Sequence, residues 1–125
     1  MHVVLDTNAL IRFFTNDVPE RAARVKNLLE KEKNIYIPEV VFPELEYILT
    51  AHYDTSREKL IQLFQFLTSQ KNIKLPKQVK KAVVIFEKTK LDMADCIIAA
   101  YAMREELASF DEELLHIEEV QPFWK

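Results

Sequence analysis

Residues 3–14 read VVLDTNALIRFF. Val3, Val4 and Leu5 make a short apolar run that stops at Asp6, the pattern of a buried strand. A short helix is expected directly after it, over residues 8–15. A strand feeding straight into a helix is the start of an alternating unit, and the rest of the chain repeats it. Residues 20–31 set Ala22, Val25, Leu28 and Leu29 at helical spacing, with charges opposite. Asn34 to Ile37 reads as a strand, and Pro38 can open a helix that runs to about Tyr53. Val41, Leu45, Ile48, Leu49 and His52 fall on one side of it, and Pro43 requires either a kink or a regular helix that begins there. Thr55 or Ser56 caps a helix to about Leu67, and a brief strand falls at Ile73. An amphipathic helix spans 77–90, and Asp92 caps one that reaches Arg104. Leu107 to Phe110 forms a strand ending at Asp111, and Val120 to Phe123 a last edge strand. The alternation predicts an α/β fold with a mostly parallel sheet, whose sites lie beyond the carboxyl ends of its strands.

The chain has 125 residues, within the ordinary size of one domain, and no glycine. Average usage would give roughly nine. Phosphate-binding loops, the dinucleotide fingerprint and the nucleophile elbow all need glycine at tight turns, so their standard forms are excluded. A single cysteine, Cys96, excludes an intrachain disulfide and a multi-cysteine zinc site, and fits a reducing compartment. His2, His52 and His116 show no metal-ligand spacing. No serine or cysteine has a plausible histidine partner for covalent catalysis. No apolar run is long enough for a membrane span, and the N-terminus lacks a basic secretory start, so a cytoplasmic location is expected.

The carboxylates carry the chemistry. Asp6 and Asp111 both close predicted strands, which a parallel sheet would set on one edge. Either alone is better read as a helix cap or the start of a turn, but two on one edge, with further carboxylates available, weaken that reading. The stretch LDMADCIIAAYAM, 91–103, holds one charge between Met93 and Met103, namely Asp95. A helix so apolar is expected to be buried, with Asp95 sharing a face with Ile98, Ala99 and Ala102. Asp92 at the N-cap with Asp95 three residues later also fits a capping box. Helix geometry selects Glu44 beside the apolar face, with Glu39 and Glu46 pointing elsewhere. Four inward carboxylates without matching cations would repel one another. Two divalent ions, Mg²⁺ or Mn²⁺, resolve this, activating water and stabilising the leaving oxygen of a phosphodiester. Net charge is −3, yet with Asp6, Glu44, Asp92, Asp95 and Asp111 set aside, 17 bases face 15 acids. The acidic total is therefore no objection to a nucleic-acid substrate.

Four segments in order, VVLDTNALIRFF at 3–14, ELEYIL at 44–49, LDMADCIIAAYA at 91–102 and LASFDEEL at 107–114, resemble the PIN domains, specifically the VapC-type ribonuclease toxins. The resemblance implies a three-layer α/β/α sandwich with a central, mostly parallel sheet. It implies an enzyme that cleaves single-stranded or loop RNA and leaves a 5′-phosphate and a 3′-hydroxyl, a cognate antitoxin protein, and a homodimer. By position it assigns Asp6, Glu44, Asp95 and Asp111 as catalytic metal ligands, with Asp92 as an auxiliary. Asn8 and Ser109 match residues that brace the acids, and Arg12 resembles a basic residue near the site. Glu105-Glu106 stands where a glycine-containing turn is common. Metal-assisted, in-line attack of water on an RNA phosphate is the mechanism these assignments imply.

Residues 71–90 hold seven lysines and one acid, and 105–119 seven acids without lysine or arginine. Lys77, Lys80 and Lys81 are candidate RNA contacts, against the plainer reading of a solvated face. Phe13, Phe14, Phe64, Phe66 and Trp124 are candidates for a partner groove, although aromatics at helical spacing more often form core. Two other functions fit parts of the pattern. A non-catalytic PIN-like module that binds RNA or protein would tolerate loss of Asp6 or Asp95. A phosphotransfer domain with Asp6 as phosphoacceptor would want a second aspartate where Asn8 stands.

Overall fold

The computed structural model describes residues 2–125, and two compact units divide them, one ending at Pro76 and the other running from Lys77 to Lys125. The first unit begins with strand β1 (Val3–Val4) and helix α1 (Thr7–Thr15). Helix α2 (Pro19–Lys31) follows, with proline at its start, where a missing N–H costs nothing. Strand β2 (Ile35–Tyr36), helix α3 (Val41–Tyr53), helix α4 (Arg57–Ser69) and strand β3 (Ile73–Lys74) complete it. The strands pair in parallel in the order β1-β2-β3, Val3 opposite Ile35 and Ile35 opposite Ile73. Leu10, Ile35, Ile37, Phe42, Leu45 and Phe64 are fully buried in this unit.

Pro43 settles the start of α3. Val41 N–H bonds Pro38 O and Phe42 N–H bonds Glu39 O, so a tight turn covers 38–41 and the regular helix begins at Val41. Pro43 then lies in the first turn, where no intrahelical partner for its nitrogen is required, and no kink is needed. Ser56, not Thr55, caps α4 by accepting from Lys59 N at 3.2 Å.

The second unit contains helix α5 (Lys77–Lys88), helix α6 (Met93–Ala102), strand β4 (Glu106–Leu107), helix α7 (Glu112–Leu115) and strand β5 (Gln121–Pro122). α5 packs on α6, and β4 pairs with β5 in parallel. Val79, Phe86, Met93, Cys96 and Ala99 are buried there. Two expectations change. The strand expected over 107–110 ends at Leu107, because Ser109 and Asp111 turn the chain into α7. α6 stops at Ala102, and Arg104 adopts a left-handed φ of 67°. The α/β class with parallel pairing is the one expected from the sequence. Among the described residues no helix is long and apolar enough to cross a membrane.

Candidate active site

In the first unit, Asp6 follows β1 and caps α1, its Oδ1 accepting from Ala9 N at 3.0 Å. The negative charge sits where the helix leaves N–H groups unpaired. A carboxylate has about four acceptor positions, so the cap leaves Asp6 able to bind elsewhere. Thr7 is next in sequence and only 8% exposed. Its hydroxyl donates to Glu44 Oε1 at 2.6 Å, fastening α3 to the start of α1. Asn8, expected as a brace, is exposed at the second position of α1. The brace seen is Thr7, and it had a signal: with Leu10 and Ile11 it occupies the i, i+3, i+4 face that turns inward. Burial does not mark out Glu44. It is exposed, whereas Glu39 and Glu46 are half-buried, and His52, expected inward, is exposed too. Glu44 is the carboxylate that Thr7 holds.

Arg12 is tied to its own helix end. Its Nη1 lies 2.6 Å from Asp17 Oδ2, and Tyr53 Oη donates to the same oxygen at 2.8 Å. The Tyr53 bond, then those of Thr15 and Arg12, hold the Asp17 carboxyl below its ordinary value against a partial desolvation. Asp17 in turn raises the affinity of Arg12 for its proton. This geometry makes Arg12 a strut for the turn after α1 and lends its expected RNA contact no support.

In the second unit, Asp92 and Asp95 lie three residues apart at the start of α6. Asp92 Oδ1 accepts from Asp95 N at 2.8 Å, the expected cap. Asp111 caps α7 through bonds from Glu113 N at 2.9 Å and Leu114 N at 3.3 Å. Ser109 Oγ accepts from Asp111 N at 3.0 Å and so fixes the turn that presents this carboxylate. α6 is not buried all round as expected: Ile98 and Tyr101 are 45% and 53% exposed. Asp95 stands between that open stripe and buried Ala99 and Ala102, itself half-buried. Its carboxyl holds its proton more tightly than usual, first through desolvation, then through the charges of Asp92, Asp111 and Glu113. Glu113 was not among the expected residues; its position two residues after Asp111 was the available sign.

Three of the five carboxylates are thus helix caps at the surface, and only Asp95 is partly desolvated. The expectation of four inward-facing acids is corrected accordingly. Their hard oxygen donors fit a divalent cation. Among the described residues, however, no three His, Cys, Asp or Glu side chains form a ready ligand group.

The candidate lysines fall on the surface. Lys77, Lys80 and Lys81 are exposed on α5. Lys77, Lys81 and Lys88 share a face that lines a groove of about 1010 Å³, but Lys80, a quarter-turn away, does not. Phe64 is core. Phe13 and Phe66 stack at 6.0 Å beside a cavity of about 970 Å³ under the end of α2.

The profile of the PIN domain family matches residues 3–120. The chain belongs to the PIN domain family. The chain is also similar to the VapC ribonuclease of Aquifex aeolicus (strain VF5), 24% identical over 116 residues, covering 86% of this chain and 85% of the relative. No solved structure matches the chain. The matched residues take in all four acid-bearing segments.

Proposed function

We propose that this PIN domain protein is an Mg²⁺- or Mn²⁺-dependent endoribonuclease and the toxin of a toxin–antitoxin pair. The observation that carries the reading is the chemistry at Asp95: a half-buried carboxylate on an apolar helix, in the field of Asp92, Asp111 and Glu113, with its proton affinity raised. Such a group calls for a cation. The similarity to a VapC ribonuclease over most of both chains supports RNA as the substrate and an antitoxin as the partner. The apolar surface of Phe13, Leu29 and Phe66 is where we expect that partner to dock.

Asp6, Glu44, Asp95 and Asp111 would hold the ions, with Asp92 assisting. Bound there, the ions would neutralise phosphate charge and acidify the attacking water. The chain's own residues do the positioning. The caps on α1, α6 and α7 fix Asp6, Asp92 and Asp111, each through one oxygen. Thr7 fixes Glu44 and Ser109 fixes the backbone of Asp111. Hydrolysis would leave a 5′-phosphate and a 3′-hydroxyl.

The test is to incubate purified protein with total RNA and Mn²⁺ or Mg²⁺ and sequence the new ends. Discrete 5′-phosphorylated ends that vanish in EDTA and with Asp95→Asn are expected. RNA left intact with both metals overturns the nuclease reading, and full cleavage in excess EDTA overturns the metal.

A further inference from the structure

The segment around Asp111 carries aromatic surface that its own packing does not bury. Phe110 is 87% exposed, and Phe123 and Trp124 are each more than half exposed. Their rings nevertheless pack on one another. Phe110 and Trp124 stack with centroids 4.8 Å apart and planes within 5° of parallel, and Phe123 meets Trp124 edge-on at 5.6 Å. The backbone beneath them is tied down: Leu107 pairs with Pro122, and Phe123 N–H bonds Leu107 O at 2.9 Å. Ser109 Oγ holds the turn at Asp111 N. One face of Phe110 is therefore backed by Trp124. The other lies open to solvent, one residue from a carboxylate of the candidate site.

A patch of aliphatic side chains would fit many apolar partners. A flat ring, backed by a second ring in parallel, fits a flat aromatic one. A second copy of this chain docked here about a two-fold axis would set Asp111, Glu112 and Glu113 against the same three acids, which like-charge repulsion opposes. A nucleobase brings a neutral π-face to the ring, and the phosphate beside it is the group that the proposed cations would hold at Asp111. Only an unpaired base can offer that face, because a base within a duplex is already stacked on both sides.

We propose that the open face of Phe110, backed by Trp124, is a stacking platform for one unpaired RNA base next to the phosphate that is cut. The proposal rests on RNA being the substrate, and it makes Phe110 a positioning residue that selects single-stranded sites.

The test is equilibrium binding of short single-stranded RNAs in Ca²⁺, which neutralises the carboxylates, with the RNA run on a gel afterwards to confirm that it is uncut. Each RNA carries one 2-aminopurine as a fluorescent reporter, and a parallel set carries one abasic nucleotide at successive positions. Wild type should quench 2-aminopurine at one position and lose affinity when that position is abasic. Phe110→Leu, which keeps an apolar side chain but no ring, should raise Kd by about 5- to 150-fold, the range for losing one stacked base. It should also be indifferent to the abasic position, whereas Phe110→Trp should bind within a few-fold of wild type. Matching melting curves for wild type and Phe110→Leu check the fold. The platform is overturned if wild type binds no single-stranded RNA, if Phe110→Leu binds as wild type does, or if no abasic position matters. It is likewise overturned if Phe110→Leu dissociates an oligomer in light scattering while RNA affinity stays unchanged, since the rings then serve a contact between copies. Wild type that binds RNA through Phe110 but leaves it intact with Mg²⁺ and Mn²⁺ retains the platform and overturns the nuclease reading alone.

Discussion

Thr7 and Asp95 show opposite ways in which one side chain can serve a site. Thr7 is buried and gives its single hydroxyl proton to Glu44. Thr7→Val keeps the branched shape and removes that donor. Stability should change by no more than about 1 kcal/mol, because Glu44 is exposed and water replaces the lost bond. RNA cleavage should fall roughly tenfold, as when a ligand loses its orienting partner, and Thr7→Ser should restore it. Cleavage by Thr7→Val at the wild-type rate would reduce the bond to a packing detail. Asp95 instead carries a charge that its surroundings disfavour. Its folded-state proton affinity is above the unfolded one. The stability linked to it is therefore fully present below pH ~4 and lost as pH rises through the folded value. Metal-free Asp95→Asn should melt at or above wild type at pH 7, by at most ~1 kcal/mol, since a part-exposed carboxylate is screened by water. The difference should close below pH 4. A variant that melts well below wild type in EDTA at pH 7 would make Asp95 a structural cap.

Helix ends and faces set the next scale. The caps of α1, α6 and α7 are the same residues that sequence order marks as acids of the site, so capping and ligation are compatible uses of one carboxylate. A chain without glycine must still end its helices. Asn16 and Asp54 do so after α1 and α3 with φ of 53° and 52°, which their short polar side chains tolerate. Arg104 and Glu119, at 67° and 75°, have no such excuse, and they meet through Arg104 N–H and Glu119 O at 3.5 Å. The lysines of α5 divide by face. If its groove face guides RNA, Lys77/Lys81/Lys88→Ala should flatten the plot of log affinity against log salt, by about 0.7 for each lost single-strand phosphate contact. Lys80→Ala should leave the slope as it was. Equal slopes for all three proteins would return these lysines to simple solvation.

For the molecule as a whole, the proposed ion binding would be linked to folding. If the proposed acids bind a cation only in the native state, metal should stabilise by RT ln(1 + [L]/Kd). At a hundredfold excess over Kd this is about 2.7 kcal/mol, a rise in Tm on the order of 10 °C for a chain of this size. Thermal melts at pH 7 with Mn²⁺ and with EDTA should show such a rise for wild type and little of it for Asp95→Asn. A wild-type Tm indifferent to both Mg²⁺ and Mn²⁺ would remove the metal from the proposed site.

The local pattern determined where elements begin. Asp6, Ser56 and Asp92 stand at caps, and apolar spacing dictates the inner faces of α1, α3 and α5. These are short-range effects, fixed by side chains bonding backbone N–H groups three or four residues away. The family could also be read, because four acid-bearing segments in order are themselves a sequence property. Tertiary structure decided what lies across long separations. Thr7 rather than Asn8 holds Glu44, a contact 37 residues long that no local rule encodes. Arg12 is taken by Asp17 with help from Tyr53, 36 residues beyond it. The apolar helix α6 keeps an open stripe, because burial depends on what packs against a helix as well as on its composition. The stacked rings of Phe110 and Trp124, 14 positions apart, meet only because β4 and β5 pair.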